Sequence, residues 1–231
     1  MARSAWTAFT ALWVLVGVAP AAAQPNWVTG YLQTVPLFSG ATQFGPSSLS
    51  DFNRIRLTLD PSWGPFSVET AYDNTVSFRQ RAASSGFGLG TVPRGGEWLP
   101  LGGTLTGPDR QHVLWRHRLD RLNIGFSPAD AVDFTVGRQA VSWGTTLFLT
   151  PADPFMPFSP SDPFRQFRGG VDAARMRLYP GPLSAVDLVV RVTDTPMGEE
   201  VTALGRGLTT WRNWELSAWA GTLYGDAAGA V

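Results

Sequence analysis

The stretch Arg54-Ile55-Arg56-Leu57-Thr58-Leu59-Asp60 alternates without a break, polar at every even position and apolar at every odd one. A period of two marks an extended strand, because successive side chains of a strand point to opposite faces. The same period recurs along the chain. Phe66, Val68, Thr70 and Tyr72 alternate with Ser67, Glu69, Ala71 and Asp73. Val132, Phe134 and Val136 alternate with Asp133 and Thr135, and Ala174, Met176 and Leu178 with Arg175 and Arg177. Val186, Leu188, Val190 and Val192 alternate with Asp187 and Arg191, and Trp214, Leu216 and Ala218 with Asn213, Glu215 and Ser217. Each strand therefore shows one face to an apolar environment and the other to a polar one.

One stretch changes phase. Between His112 and Phe126, Val113, Trp115 and Leu119 share one parity, and Leu122, Ile124 and Phe126 the other. An extra residue in one strand of a pair reverses parity, so a bulge is expected near Asp120.

The connections sort by length. Asp60-Pro61-Ser62-Trp63-Gly64, Ser127-Pro128-Ala129-Asp130, Tyr179-Pro180-Gly181-Pro182 and Gly225-Asp226 read as tight turns. Residues 36–50, 74–111, 144–170 and 194–210 read as long loops. Short and long connections alternate, as in an up-and-down outer-membrane barrel with short periplasmic turns and long outer loops. The expected fold is all-β: an antiparallel up-and-down transmembrane β-barrel, with about eight strands and the start of a ninth at Ala227–Val231. The apolar parity then faces lipid. Trp27 and Trp63 fall near periplasmic ends and Trp211 and Trp214 near an outer end, as interfacial aromatic girdles would.

Composition fits this reading. The chain has 231 residues, 18 acidic and 18 basic, and every basic residue is Arg. An even balance argues against a nucleic-acid partner. The absence of cysteine removes disulfide scaffolds, thiolate metal sites and thiol nucleophiles. Met1–Ala23 has the form of a signal peptide: Arg3, an uncharged stretch from Ala5 to Ala19, Pro20, then Ala21-Ala22-Ala23, with cleavage expected before Gln24. No other run approaches the ~20 apolar residues of a spanning helix. Export to the outer membrane is expected, with residues 24–231 as barrel.

The segment from Gly137 to Arg177 is the most informative. It opens with Gly137-Arg138-Gln139-Ala140-Val141-Ser142-Trp143-Gly144 and continues through Pro151-Ala152-Asp153-Pro154-Phe155, which recurs as Pro160-Ser161-Asp162-Pro163-Phe164. It ends in Arg165-Gln166-Phe167-Arg168-Gly169-Gly170-Val171-Asp172-Ala173-Ala174-Arg175. Asp before Pro is a helix-start signal, so two short helical turns are expected, each offering a Phe for packing. A loop of ~25 residues must fold onto something, and in a barrel that is the lumen wall. Residues 144–170 are therefore expected to form a constriction loop inside the lumen, with Asp153, Phe155, Asp162, Phe164, Arg165 and Arg168 as its functional side chains.

Over residues 132–192 this pattern resembles a family of bacterial outer-membrane porin-like β-barrels with a GRQ-x-x-SWG strand, a D-x-x-x-P-F-x-P-x-D loop and an R-x-G-V-D-A-x-R strand. It is more distantly similar to the alginate-export and substrate-selective porins. The resemblance implies a barrel well beyond eight strands, of which this chain is the N-terminal part, since such barrels close on a strand ending in an aromatic residue. It implies lipid and the barrel-assembly machinery as partners, and no particular solute. A lumen of ~8 strands is just filled by side chains, which independently favours a larger barrel around a folded loop.

If the polar parity faces inward, the wall carries Arg54, Arg56, Arg116, Arg118, Arg175, Arg177 and Arg191, with Glu69, Asp120, Asp133, Asp187 and Glu215. Arg outnumbers acid there, which predicts a mild preference for anionic or polar solutes. Pairing of these charges across neighbouring strands is the plainer expectation. No catalytic residue, metal site or cofactor is expected. Gly86-Phe87-Gly88-Leu89-Gly90 lacks the strand and helix of a phosphate loop, and His112 and His117 have no further ligands at metal spacing. Ser127 and Ser142 lack a nucleophile-elbow context. The expected function is passive or weakly selective passage of small hydrophilic solutes, with homo-oligomers compatible. The alternatives are a dedicated transporter of a polysaccharide or hydrophobic compound, and a secreted all-β carbohydrate-binding module.

Overall fold

The computed structural model describes residues 27–41, 46–80, 97–106, 112–143, 153–155, 167–195 and 198–231. The leader expected over residues 1–23 lies outside them, as does Gly86–Gly90. The strands are β1 (Val28–Ser39), β2 (Ser48–Leu59), β3 (Ser62–Trp63), β4 (Phe66–Arg79), β5 (Gly102–Thr106) and β6 (Val113–Ala129). They continue as β7 (Val132–Gln139), β8 (Val171–Gly181), β9 (Ser184–Thr195), β10 (Gly198–Trp211), β11 (Trp214–Leu223) and β12 (Asp226–Ala230).

All twelve belong to one antiparallel sheet in the order β1-β2-β4-β6-β7-β8-β9-β10-β11-β12, with β3 paired to β4 and β5 to β6. The main path follows chain order, so the sheet is an up-and-down meander. β1 and β12 do not pair with each other, and the sheet is open.

Among the described residues, twelve strands replace the expected eight or nine. The loop expected over 194–210 is β10, separated from β9 by two residues. Its apolar-face positions after Val201 and Ala203 are Gly205 and Gly207, which carry no hydrophobic signal and hide the alternation. The extra strand moves Trp211 and Trp214 to the opposite end from the one expected. They flank the β10–β11 turn, at the short-turn end with Trp27 and Trp63. Two other loops shrink: β1 and β2 leave only residues 40–47 between them, and the stretch 74–111 contains the end of β4 and all of β5.

The phase change in β6 is a bulge. Ala71 pairs with Arg121 and Tyr72 with Leu119, leaving Asp120 as the extra residue. Consecutive residues Asp120 and Arg121 are consequently both buried.

The sheet is inverted relative to a soluble protein. Ile55, Leu57, Leu122, Ile124, Val136 and Val190 are exposed, Ile124 to 60% and Val136 to 61%. On the opposite face Arg54, Arg56, Arg118, Asp120, Arg121, Asp187 and Arg191 are buried, Asp120 and Arg191 to within 2%. Cross-strand partners share a face, and the registers Arg56↔Asp73↔Arg118 and Ala173↔Arg191↔Thr202 run this polar row across the sheet.

The polar face is covered where the sheet is interrupted beside β6. β6 pairs with β4 from Val113 to Phe126, but its other edge is divided: β5 takes residues 114–118 and β7 takes 122–129. β7 ends at Gln139, and the chain turns onto the polar face. There Val141, Trp143 and Phe155 pack with Val171, Ala173, Val189 and Leu204, and Trp219 and Leu223 close on the cluster. The Trp143 and Phe155 rings meet edge to face at 4.8 Å.

Candidate functional site

The bulge at Asp120 organises the first half of the polar face. Its carboxylate accepts from Arg56 at 2.9 Å, from Arg121 at 2.7 Å and from Arg118. Arg56 also reaches Asp73 at 2.9 Å, and Arg121 lies 3.7 Å from Glu69. Three arginines thus share three carboxylates, Asp120, Asp73 and Glu69. A buried charge persists only when paired and hydrogen-bonded, and this cluster meets that demand by cross-strand geometry.

Beside it, where β7 leaves the sheet, Arg138 is 1% exposed. It donates to both oxygens of Asp172 at 2.8 Å, to the Leu119 carbonyl at 3.1 Å and to the Leu99 carbonyl. Glu97 links this group to Arg118 at 3.1 Å, and the Leu99 N–H donates to Asp172 at 2.9 Å. Gly137, just before Arg138, has φ +118°, and a Cβ there would lie 2.9 Å from the Asn123 Cα. Glycine is required on both counts.

The inward segment is tied to the wall at two places. Near β6, the Gly170 N–H donates to Asp120 at 3.2 Å and Arg121 donates to the Arg168 carbonyl at 2.7 Å. A Cβ on Gly170 would overlap the Asp120 carbonyl oxygen. Arg168 in turn pairs with the buried Asp153, whose other oxygen accepts from the Phe155 N–H at 3.1 Å. Near β9, Arg191 donates to the Phe155 carbonyl at 3.1 Å and to the Tyr224 hydroxyl at 2.6 Å. Its guanidinium lies 5.6 Å from the Phe155 ring centre and 5.3 Å from that of Tyr224. Asp187 accepts from Trp143 Nε1 at 2.7 Å and from Arg175 at 2.6 Å.

A cavity of about 310 Å³ opens against the first cluster. Tyr31, Arg56, Thr58, Glu69, Arg121 and Phe167 line it. The Phe167 ring stacks on Tyr31 at 5.9 Å with 22° between planes, and the Arg56 guanidinium lies 4.6 Å from the Phe167 ring centre. Tyr31 and Arg56 are cross-strand partners, so β1 and β2 position both, and the inward segment delivers Phe167.

The residues expected on the wall do share one face by register: Arg54, Arg56, Glu69, Arg116, Arg118, Asp133, Arg175, Arg177, Asp187, Arg191 and Glu215. Glu215 lies exposed near the β10–β11 turn, apart from either cluster. Arg177 sits 3.6 Å from Asp133. Of the loop residues, Asp153, Phe155 and Arg168 lie against the polar face. Asp162, Phe164 and Arg165 fall outside the described residues, and so does the rest of the expected second turn. Residues 153–155 form a bend, not a helical turn.

Sequence reasoning passed over Tyr31, Asp73, Glu97, Arg121, Arg138 and Asp172. Parity after the bulge could have found Arg121, and Arg138 and Asp172 stand in the motif quoted above. Nothing local marks Glu97 or Phe167, whose roles depend on where distant segments land. Among the described residues no group of His and acidic side chains is placed to hold a metal ion. No family model, curated protein or solved structure matches the chain.

Proposed function

We propose that this sheet is the wall of an outer-membrane β-barrel pathway that passes small hydrophilic solutes. The inverted sheet carries the proposal: its apolar face is exposed and its charged face is buried. Water would drive the reverse arrangement, because exposing a large contiguous apolar surface is costly. Lipid on the apolar side and water on the charged side make the same arrangement stable. The short-turn end supports this with exposed Trp27, Trp63, Trp211 and Trp214, suited to an interfacial girdle. Backbone groups at a sheet edge cannot face hydrocarbon, so on this reading β1 and β12 are both paired in the membrane. The resemblance to porin-like barrels over residues 132–192 points the same way.

The role of the charges on this reading differs from a simple Arg-lined filter. The buried arginines are held in pairs with carboxylates, so the wall presents compensated charge to the pathway, with weak ion selectivity. The test is fractionation followed by reconstitution. The protein should require detergent for extraction, migrate differently with and without heating, and give stepwise conductance in planar bilayers. Recovery as a soluble monodisperse species without detergent rejects the proposal.

A further inference from the structure

We infer that the cavity beneath Phe167 is a binding subsite for a single neutral saccharide ring. Its place on a solute pathway rests on the function proposed above, whereas its chemistry rests on the lining alone.

The lining combines two kinds of surface. Tyr31 and Phe167 stack on each other with an offset and together form one aromatic wall, of which Phe167 is 43% exposed. Around them stand guanidinium donors from Arg56 and Arg121, the Glu69 carboxylate, and the Thr58 hydroxyl. A pyranose carries the matching pair: an apolar C–H face that packs on a ring, and a rim of hydroxyls that both donate and accept. The volume, about 310 Å³, lies at the lower end of small-molecule sites and suits one ring rather than a chain.

Charge decides against the competing ligands. Each lining cation already lies between two carboxylates: Arg56 between Asp73 and Asp120, and Arg121 between Asp120 and Glu69. An incoming anion meets no uncompensated positive charge and must approach Glu69. An incoming cation meets two guanidinium groups, and a purely apolar ligand would strip water from all of these without replacing its hydrogen bonds. A neutral polyol adds hydrogen bonds to both signs of charge and disturbs no ion pair.

The test uses the full chain refolded in detergent micelles and titrated by calorimetry and saturation-transfer NMR. The probes are methyl glycosides of glucose, galactose and mannose, with benzoate as an aromatic anion. At least one glycoside should bind saturably, and more tightly than benzoate, with no gain at low salt. Phe167→Ala should weaken that binding by about tenfold, and Phe167→Tyr should retain it. Tyr31→Ala should weaken it similarly, and if that variant does not fold, the two Phe167 variants carry the test. The inference falls if folded wild type binds none of the glycosides, if benzoate binds more tightly, or if Phe167→Ala binds as wild type does. Conductance without glycoside binding overturns the subsite alone. Glycoside binding without conductance overturns the pathway alone.

Discussion

Asp120 is the residue on which the polar face depends most. It is the extra residue of a bulge, and its carboxylate neutralises Arg56, Arg118 and Arg121 while receiving the Gly170 N–H. Asp120→Asn keeps the shape and removes the charge, leaving buried arginines undercompensated. Breaking a buried pair from one side costs about 3–5 kcal/mol. Urea unfolding in micelles should show a loss of that order, whereas Glu215→Gln, exposed and outside both clusters, should leave the midpoint unmoved. Gly137 is the second sensitive position, because both its φ of +118° and the neighbouring β6 backbone exclude a side chain. Gly137→Ala should destabilise by about 1–3 kcal/mol in the same measurement, the usual cost of a strained backbone region.

At the scale of elements, what mattered was whether a strand carried contrast between its faces. β2, β4, β7, β8, β9 and β11 were legible because apolar and polar residues alternate in each, and the bulge in β6 was legible because the contrast reversed. β10 was hidden because glycine replaced the apolar partner at Gly205 and Gly207. β5 was hidden because Gly102 and Gly103 open it and it spans five residues. The candidate site divides similarly. Its wall residues follow from parity, but Phe167 and Glu97 arrive on segments whose destinations no local pattern specifies. The anchoring of the inward segment gives an element-scale prediction. Gly170→Ala places a methyl group against the Asp120 carbonyl and should lift residues 167–170 from β6. Protease cleavage within 144–170 should accelerate at least severalfold, with the sheet's circular-dichroism signal retained. Unchanged cleavage would mean that the Gly170 contact does not hold the segment.

The whole molecule is defined by which face meets which solvent. Ile55→Arg, midway along the apolar face of β2, should cost about 2–4 kcal/mol in a lipid-embedded protein, the price of a charge near the bilayer midplane. The same change on an aqueous surface should be nearly neutral, so the loss of folding free energy in vesicles distinguishes the two environments. Because the chain contains no cysteine, single substitutions can report exposure cleanly. Neighbours Thr135 and Val136 point to opposite faces. In vesicles, a water-soluble maleimide should label Thr135→Cys and spare Val136→Cys, and equal labelling would remove the lipid from the apolar face.

The divided edge of β6 bears on the membrane as well as on the protein. β6 runs for 17 residues, but β7 has only eight, fewer than the ~9–11 of a tilted span. The step between them is filled by residues 97–101, whose Trp98 and Leu99 side chains are exposed, and behind these lies the buried ion pair of Arg138 and Asp172. In a bilayer, acyl chains in this sector would pack on the side chains of an irregular segment and not on a strand, and the same segment would keep the ion pair out of hydrocarbon. The hydrophobic belt would therefore be patched by apolar side chains at the place where the chain turns inward.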